Sequence, residues 1–302
     1  MESNFDDTRL LSYTDADLVD HINSLPGLPN CSKITPLSSK YLAKNYREEE
    51  LEHAVRSTKF ASQLGIPVPH IYRTVPADYG VYCIMDRIPG IPLDMAWPEL
   101  GWVASLRLAF QLRRIIHRLR SVVSTSSGSL ETGVCRSYFL DDRFGLPPGA
   151  TVQQVNAYLN FWHNFVNIGK EVKKTPAEYA ICPKPVFSCS RPFVFTHHDL
   201  APRNIILDRE GQLWLIDWDC AGFYPKFFEY AGMHNFIPTA AWTKFVSWRW
   251  NLFAWIAGGF YDKECRWLEL IRYRSTRFSP ARRFNMNANG YAAAARRPDN
   301  DN

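Results

Sequence analysis

No CxxC pair occurs among the seven cysteines, Cys31, Cys83, Cys135, Cys182, Cys189, Cys220 and Cys265. Their odd number and irregular spacing exclude a zinc ribbon and a small secreted disulfide scaffold; they read as thiols in a reducing compartment. The opening segment MESNFDDTRLLSY lacks a basic stretch followed by an apolar one, so no signal peptide is expected. Long apolar runs are missing as well. The most apolar stretch, near Trp250 to Tyr261, is too short to span a bilayer and suits a buried helix. A soluble, cytoplasmic chain with no membrane partner is the expectation. Charge of one sign is also scarce: 35 Lys and Arg against 30 Asp and Glu leave a net charge of +5, without a dense basic stripe interleaved with aromatics. Nucleic acid is therefore not an expected partner. No internal repeat and no G-x-G-x-x-G segment occur.

What is present is a globular composition, 46% hydrophobic and 22% charged over 302 residues, enough for one large domain or two lobes around a cleft. Ten Trp are mostly explained as core fillers. The segment TDADLVDHINSL predicts a helix capped by Thr14. KITPL and SSKYLAKNY predict a short hairpin between Ser32 and Tyr46. REEELEHAVRSTKFASQLG predicts a helix ending at Gly65. IPVPHIYRTV and YGVYCIMDRI predict two antiparallel strands around the turn PADYG, and Pro89-Gly90 marks a break. Leu108, Leu112, Ile115, Ile116 and Leu119 form one stripe of an amphipathic helix. Further helices are expected over Val152–Val172, Trp242–Tyr261 and Glu264–Tyr273. The expected organisation is an N-terminal extension (1–29), a β-rich lobe (30–88), a larger helical lobe (89–276) and a disordered tail (277–302).

The chemistry concentrates in His197-His198-Asp199-Leu200-Ala201-Pro202-Arg203-Asn204 and the following NIILD-REG-QLWLID. An Asp and an Asn five residues apart on one loop can face the same small volume, and a hairpin returns Asp217 to the side of Asn204. Carboxylate and amide oxygens are hard ligands suited to Mg²⁺, which binds phosphates beside one or two carboxylates. The remaining Asp is then available to a substrate hydroxyl.

The run HHDLAPRN…LIDW resembles the H-G-D-x-x-x-x-N…I-D-W pattern of the aminoglycoside phosphotransferase and choline kinase-like family, relatives of the protein kinases. IPVPHIY, VYCIMDRIPGIPLDMAW, GSLETG and FYPKFFEY extend the likeness, especially to forms common in fungi, over about Lys40 to Tyr230. The resemblance implies an α+β, two-lobed protein-kinase-like fold and an ATP- and Mg²⁺-dependent phosphotransferase acting on a small-molecule hydroxyl. Residue by residue, it makes Asp199 the catalytic base and gives Asn204 and Asp217 to the metal. It places Lys44 on the α/β-phosphates. Glu52 would pair with that lysine, with Glu49 and Glu50 as alternatives. Adenine would meet the backbone at Asp86 and Ile88.

The sequence departs from the pattern in two places. His198 stands where the family has Gly, and the segment before Lys44 has no glycine loop, so NCSKITPLSSK must cover the phosphates. Both departures keep open a pseudokinase that binds nucleotide or protein without turnover. His197 reads as loop support rather than a proton carrier, and the adjacent pair His197-His198 does not make a zinc site. Asp219 and Glu229 read as supporting residues. The late arginines Arg266, Arg272, Arg274 and Arg277 disfavour a polycationic acceptor. Trp242, Trp248, Trp250 and Trp255 read as helix packing ahead of cation–π partners for a quaternary amine. A protein kinase is disfavoured because no A-P-E segment follows IDWD.

Overall fold

Period-two alternation in the N-terminal part of the chain builds an antiparallel sheet with a different core on each face. In the computed structural model, which describes residues 5–28, 31–175, 177–178 and 192–288, the chain divides into two compact units. One comprises residues 1–115, 199–219 and 236–253, the other 116–198, 220–235 and 254–302.

In the first unit, β1 (Ile34–Pro36), β2 (Tyr41–Tyr46), β3 (Ile71–Ala77) and β4 (Gly80–Asp86) pair in the order β1-β2-β4-β3, antiparallel throughout. Successive side chains on a strand face opposite ways. Ala43, Val75 and Ile84 therefore join one core cluster, and Tyr46 and Cys83 another. Gly80, at φ 99°, makes the turn between β3 and β4; a Cβ there would lie 2.3 Å from the carbonyl of Tyr46.

Helix α1 (Asp15–Ser24) covers the first face through Leu18 and Ile22. It starts at a capping box in which Thr14 and Asp17 satisfy each other's amides, worth about 1 kcal/mol. The segment expected to be a separate extension is instead part of this core: Phe5 and Leu10 pack with Leu37, Val75 and Ile84. Arg73 ties it down by donating to the Tyr13 carbonyl at 2.6 Å and pairing with Asp15 at 2.5 Å.

Helix α2 (Glu48–Gln63) opens with three glutamates, which suit the positive end of its dipole, and stops before Gly65 at φ 70°. Its buried residues are His53, Ala54, Ser57 and Ala61, and Ala54 enters the cluster with Tyr46 and Cys83.

A second sheet in this unit joins distant parts of the sequence: β5 (Gly90–Pro92), β8 (Ile205–Asp208) and β9 (Leu213–Leu215). Gly90 faces Asp208, and a Cβ on it would come within 2.5 Å of the Leu207 carbonyl, so only glycine allows this approach. Leu215 N donates to Pro67 O at 2.9 Å. Residues 199–219 thereby belong to the first unit. Helices α3 (Leu93–Ala96), α4 (Trp102–Arg120, as far as Ile115) and α8 (Lys244–Gly258, as far as Phe253) complete it. Buried Trp97 meets Trp250 and Phe253 edge-on.

The second unit holds the end of α4, β6 (Val123–Ser124), α5 (Val152–Asn164), α6 (Ile168–Lys173), β7 (Phe193–Thr196), β10 (Gly222–Tyr224), α7 (Phe227–Gly232), α9 (Asp262–Arg277) and α10 (Arg282–Ala288). Its sheet runs β10-β7-β6. The single helix expected over Val152–Val172 is two, because Asn167 caps α6 by accepting from the Lys170 amide instead of continuing a helix. The expected disordered tail is corrected in part. Residues 279–288 are helical and Arg282 is buried against Asp142; positions 289–302 lie outside the described residues. Five cysteines, Cys31, Cys83, Cys135, Cys220 and Cys265, are free thiols, and Cys182 and Cys189 lie outside the described residues. Among the described residues no helix is long and apolar enough to cross a membrane.

Candidate active site

Residues 199–217 are set by a short chain of backbone bonds within the first unit. After Asp199 the chain enters a 3-10 turn, Pro202–Asn204, whose first residue is a proline that needs no amide partner. Asn204 N donates to Ala201 O at 2.9 Å and closes the turn. The chain then runs through β8 and β9, and Ile216 N returns to donate to Asn204 O at 3.0 Å. Asp217 follows directly, at φ 67°, a left-handed conformation uncommon for a residue with a Cβ.

Side chains complete the arrangement. Asn204 Nδ2 donates to both the carbonyl and Oδ2 of Asp199, at 2.8 and 2.9 Å, which leaves the amide oxygen of Asn204 as its acceptor. Arg203 Nη2 donates to the same Oδ2 at 2.7 Å. Asp199 is buried, and its Oδ2 accepts from both neighbours.

Lys44 sits on the face of β2 that also carries Tyr46, and its ammonium lies 4.5 Å from that ring. It donates to Asp217 Oδ1 at 2.6 Å and to Asp219 Oδ2 at 3.0 Å. Burial is the largest single effect on the lysine and lowers its pKa; the charges of Asp217, Tyr46 and Asp219 and the hydrogen bond to Asp217 together outweigh it, so the pKa is raised. Burial first, and then the charge of Asp217, pushes the Asp219 carboxyl up despite the lysine.

The sequence-derived site residues are only partly brought together. Asp199 and Asn204 touch, and Lys44 and Asp217 touch. Glu52 does not reach Lys44: it is exposed, whereas the buried stripe of α2 runs through His53, Ala54, Ser57 and Ala61. The helix turns about 100° per residue, so Glu52 points away from that stripe. The alternative Glu50 is half-buried and lies three, four and seven positions before His53, Ala54 and Ser57, on the stripe itself. Asp86 ends β4; its amide donates to His70 O at 3.0 Å, and its carboxylate accepts from His70 N and Tyr72 Oη. Ile88 follows two residues later and is half-buried. The segment expected to cover phosphates forms β1 and a tight turn in which Ser38 Oγ accepts from the amides of Lys40 and Tyr41. Two participants carried no role in the sequence reading or only a supporting one: Arg203 and Asp219.

Mg²⁺ suits this donor set. Asp217, Asp219 and the amide oxygen of Asn204 are hard oxygen ligands, few enough to leave room for water and phosphate oxygens. Among the described residues no group of three or more His, Cys, Asp or Glu could hold a metal by themselves.

His197 and His198 belong to the second unit, where Glu229 of α7 accepts from both of their amides, at 2.8 and 2.9 Å. His198 adopts φ 68°, the conformation that suits the usual glycine. Its Nε2 lies 2.7 Å from Ser137 Oγ, and its ring packs against Tyr224 at 4.6 Å and Phe228 at 5.3 Å. Complete burial lowers its pKa to about 3, so the imidazole is neutral near pH 7. His198 is packed and hydrogen-bonded within the loop's support.

The sequence profile of the phosphotransferase enzyme family, known as APH, matches residues 34–257. No curated protein sequence matches the chain at a significant level. Among solved structures, the chain is similar to the aminoglycoside phosphotransferase APH(3'')-Id of Streptomyces rimosus, determined with ADP and streptomycin. That likeness has 18% identity and a TM-score of 0.51, and covers 87% of this chain and 99% of that one. It is also similar to the aminoglycoside phosphotransferase APH(4)-Ia, at 16% identity and a TM-score of 0.50, over 90% and 95% of the two chains. At these identities the structural likeness speaks for the protein-kinase-like fold.

Proposed function

The chain belongs to the phosphotransferase enzyme family, and from that premise we propose that it is a small-molecule kinase that moves the γ-phosphoryl group of ATP onto a hydroxyl. The observation that carries the reading is the connected set Asp199–Asn204–Ile216–Asp217, closed by hydrogen bonds of 2.8 to 3.0 Å. Phosphoryl transfer asks a protein mainly for positioning and charge neutralisation, which is what these groups can supply.

Asp199, whose Oδ2 is held by Arg203 and Asn204, accepts the proton of the acceptor hydroxyl. The hydroxyl oxygen forms the new bond to the γ-phosphorus, the bond to the β,γ-bridging oxygen breaks, and ADP leaves. Asp217 and the amide oxygen of Asn204 would hold Mg²⁺, with Asp219 beside them. The metal, when bound, neutralises phosphate charge. Lys44 moves from the carboxylates to the α/β-phosphates. The carbonyl of Asp86 and the amide of Ile88 take the adenine edge. The two structural relatives act as aminoglycoside phosphotransferases by name; for this chain the acceptor class is a hydroxylated small molecule.

One observation favours the rival reading, a nucleotide-binding module without turnover: Lys44 is already neutralised by Asp217 and Asp219. The test is Asp199→Ala, assayed for ATP consumption across a metabolite library beside the parent protein. Loss of turnover by more than about a thousandfold, with the thermal shift by Mg–ATP retained, is expected. Full turnover in the variant removes Asp199 from the mechanism. An Mg–ATP shift in a parent that turns over no acceptor in the library supports the module.

A further inference from the structure

The first unit carries an aromatic, cation-rimmed face that the phosphotransfer reading does not use. Trp102, Val103, Leu106 and Phe110 lie along one side of α4 and are 37, 83, 39 and 53% exposed; Phe245 and Trp248 of α8 are 56 and 50% exposed. The two helices are joined at this face by rings. Trp102 meets Phe245 at 5.7 Å and Trp248 at 5.6 Å, both edge-on. Residues three, four and seven apart share a side of a helix, so the six side chains form one continuous patch. Monomeric surfaces rarely leave so many large apolar groups together without a partner. The base beneath is firm: Trp97 is buried against Trp250 and Phe253, and Arg249 donates to the carbonyls of Trp97 and Leu100.

Charge selects the occupant. Between Trp102 and Ile115, and between Lys244 and Phe253, there is no Asp or Glu, whereas Arg107, Arg113, Arg114 and Lys244 are exposed. The exposed acids nearest in the chain or by contact are Glu99, in the turn before α4, and Glu210, in the turn whose Gly211 carbonyl accepts from Arg107. A second copy docked by a twofold axis would set these cations against their own copies. Tryptophan and phenylalanine with a lysine and arginine rim fit the boundary between anionic headgroups and acyl chains. We propose that this face docks on an anionic lipid surface. The expectation of no membrane partner rested on the absence of a spanning segment, and an interfacial face needs none.

The experiment is cosedimentation of the full chain with phosphatidylserine-rich vesicles and with pure phosphatidylcholine vesicles. The parent and two double variants, Phe110→Ser with Trp248→Ser and Arg114→Glu with Lys244→Glu, are compared after circular dichroism shows that each folds. Binding to the anionic vesicles alone, released by salt and weakened more than about tenfold by either double variant, is expected. No binding to anionic vesicles, equal binding to neutral ones, or unchanged binding by the folded variants overturns the proposal. Concentration-dependent dimers in lipid-free solution, lost in the serine variant, overturn it in favour of a second copy. Failure of these tests leaves the assignment of Asp199 untouched, since none of the four substituted residues belongs to that site.

Discussion

Lys44 Nζ stands 2.6 Å from Asp217 Oδ1 and 3.0 Å from Asp219 Oδ2, so the protein's own ammonium neutralises the carboxylates proposed to meet the metal. On the proposed reading, Lys44 would have to leave these carboxylates for the phosphates when nucleotide and a divalent cation bind. Lys44→Met removes the competitor and leaves two adjacent carboxylates uncompensated. Divalent binding without nucleotide, read by Mn²⁺ titration, is expected to tighten by about tenfold or more, while phosphotransfer falls by at least about a hundredfold. Unchanged Mn²⁺ affinity in a folded variant would show that the lysine does not compete with the metal.

Arg203 reaches the same oxygen of Asp199 that Asn204 holds. A hydrogen bond to a charged group is worth about 1.5–3 kcal/mol when buried, and the Arg203 side chain is 41% exposed, so the lower end applies. Arg203→Ala is expected to lower kcat about tenfold with KM for ATP little changed, and Arg203→Lys to restore part of it. A rise in KM for ATP at constant kcat would instead assign the arginine to nucleotide binding.

Much of this site was legible because it is local. Asp199, Asn204 and Asp217 lie within one loop and one hairpin, and the hairpin's turn residues are plain in the sequence. Lys44 was less plain, since Lys33 and Lys40 offer competing registers along the same hairpin. Glu52 failed because distance along a helix does not say which way a side chain faces; the stripe through His53, Ala54, Ser57 and Ala61 does. Asp219 had no local signature of its role, since its partner Lys44 is brought near only by folding; Arg203 lies four residues from Asp199 on the same loop, but the spacing alone does not say that its side chain turns back onto that carboxylate. The N-terminal segment looked like an extension because its core partners, Leu37 after β1, Val75 of β3 and Ile84 of β4, come from parts of the chain that follow it.

His198 is neutral in the folded protein, with its pKa lowered to about 3 by burial from an ordinary 6.5. Below pH 6.5 the unfolded chain therefore binds a proton that the folded one refuses, and stability falls with pH until the folded pKa is reached. One pKa unit is about 1.4 kcal/mol, so acidification from 6.5 to about pH 5 costs roughly 2 kcal/mol from this group alone. Urea unfolding of the parent and of His198→Gly over that range provides the check. The glycine variant is expected to be less stable at pH 7, having lost the Ser137 bond and ring packing, yet flatter with pH by roughly that amount. Parallel pH profiles would mean that His198 titrates in the folded state.

Arg282 closes the second unit from far along the chain. Its Nε and Nη2 both donate to Asp142, the latter at 2.8 Å, and Asp142 also accepts from Trp162 Nε1 and the amides of Phe144 and Gly145. The guanidinium lies 5.0 Å from the Tyr158 ring. Neither charge has water to fall back on, their side chains being 8% and 0% exposed. Removing one partner of such a pair strands the other, at a cost of about 3–5 kcal/mol. Arg282→Met is expected to lower the urea midpoint accordingly, and Asp142→Asn with Arg282→Met to recover part of the loss, because the stranded carboxylate is then gone. An additive double variant would mean that each side chain stabilises the unit through its other neighbours rather than through the pair.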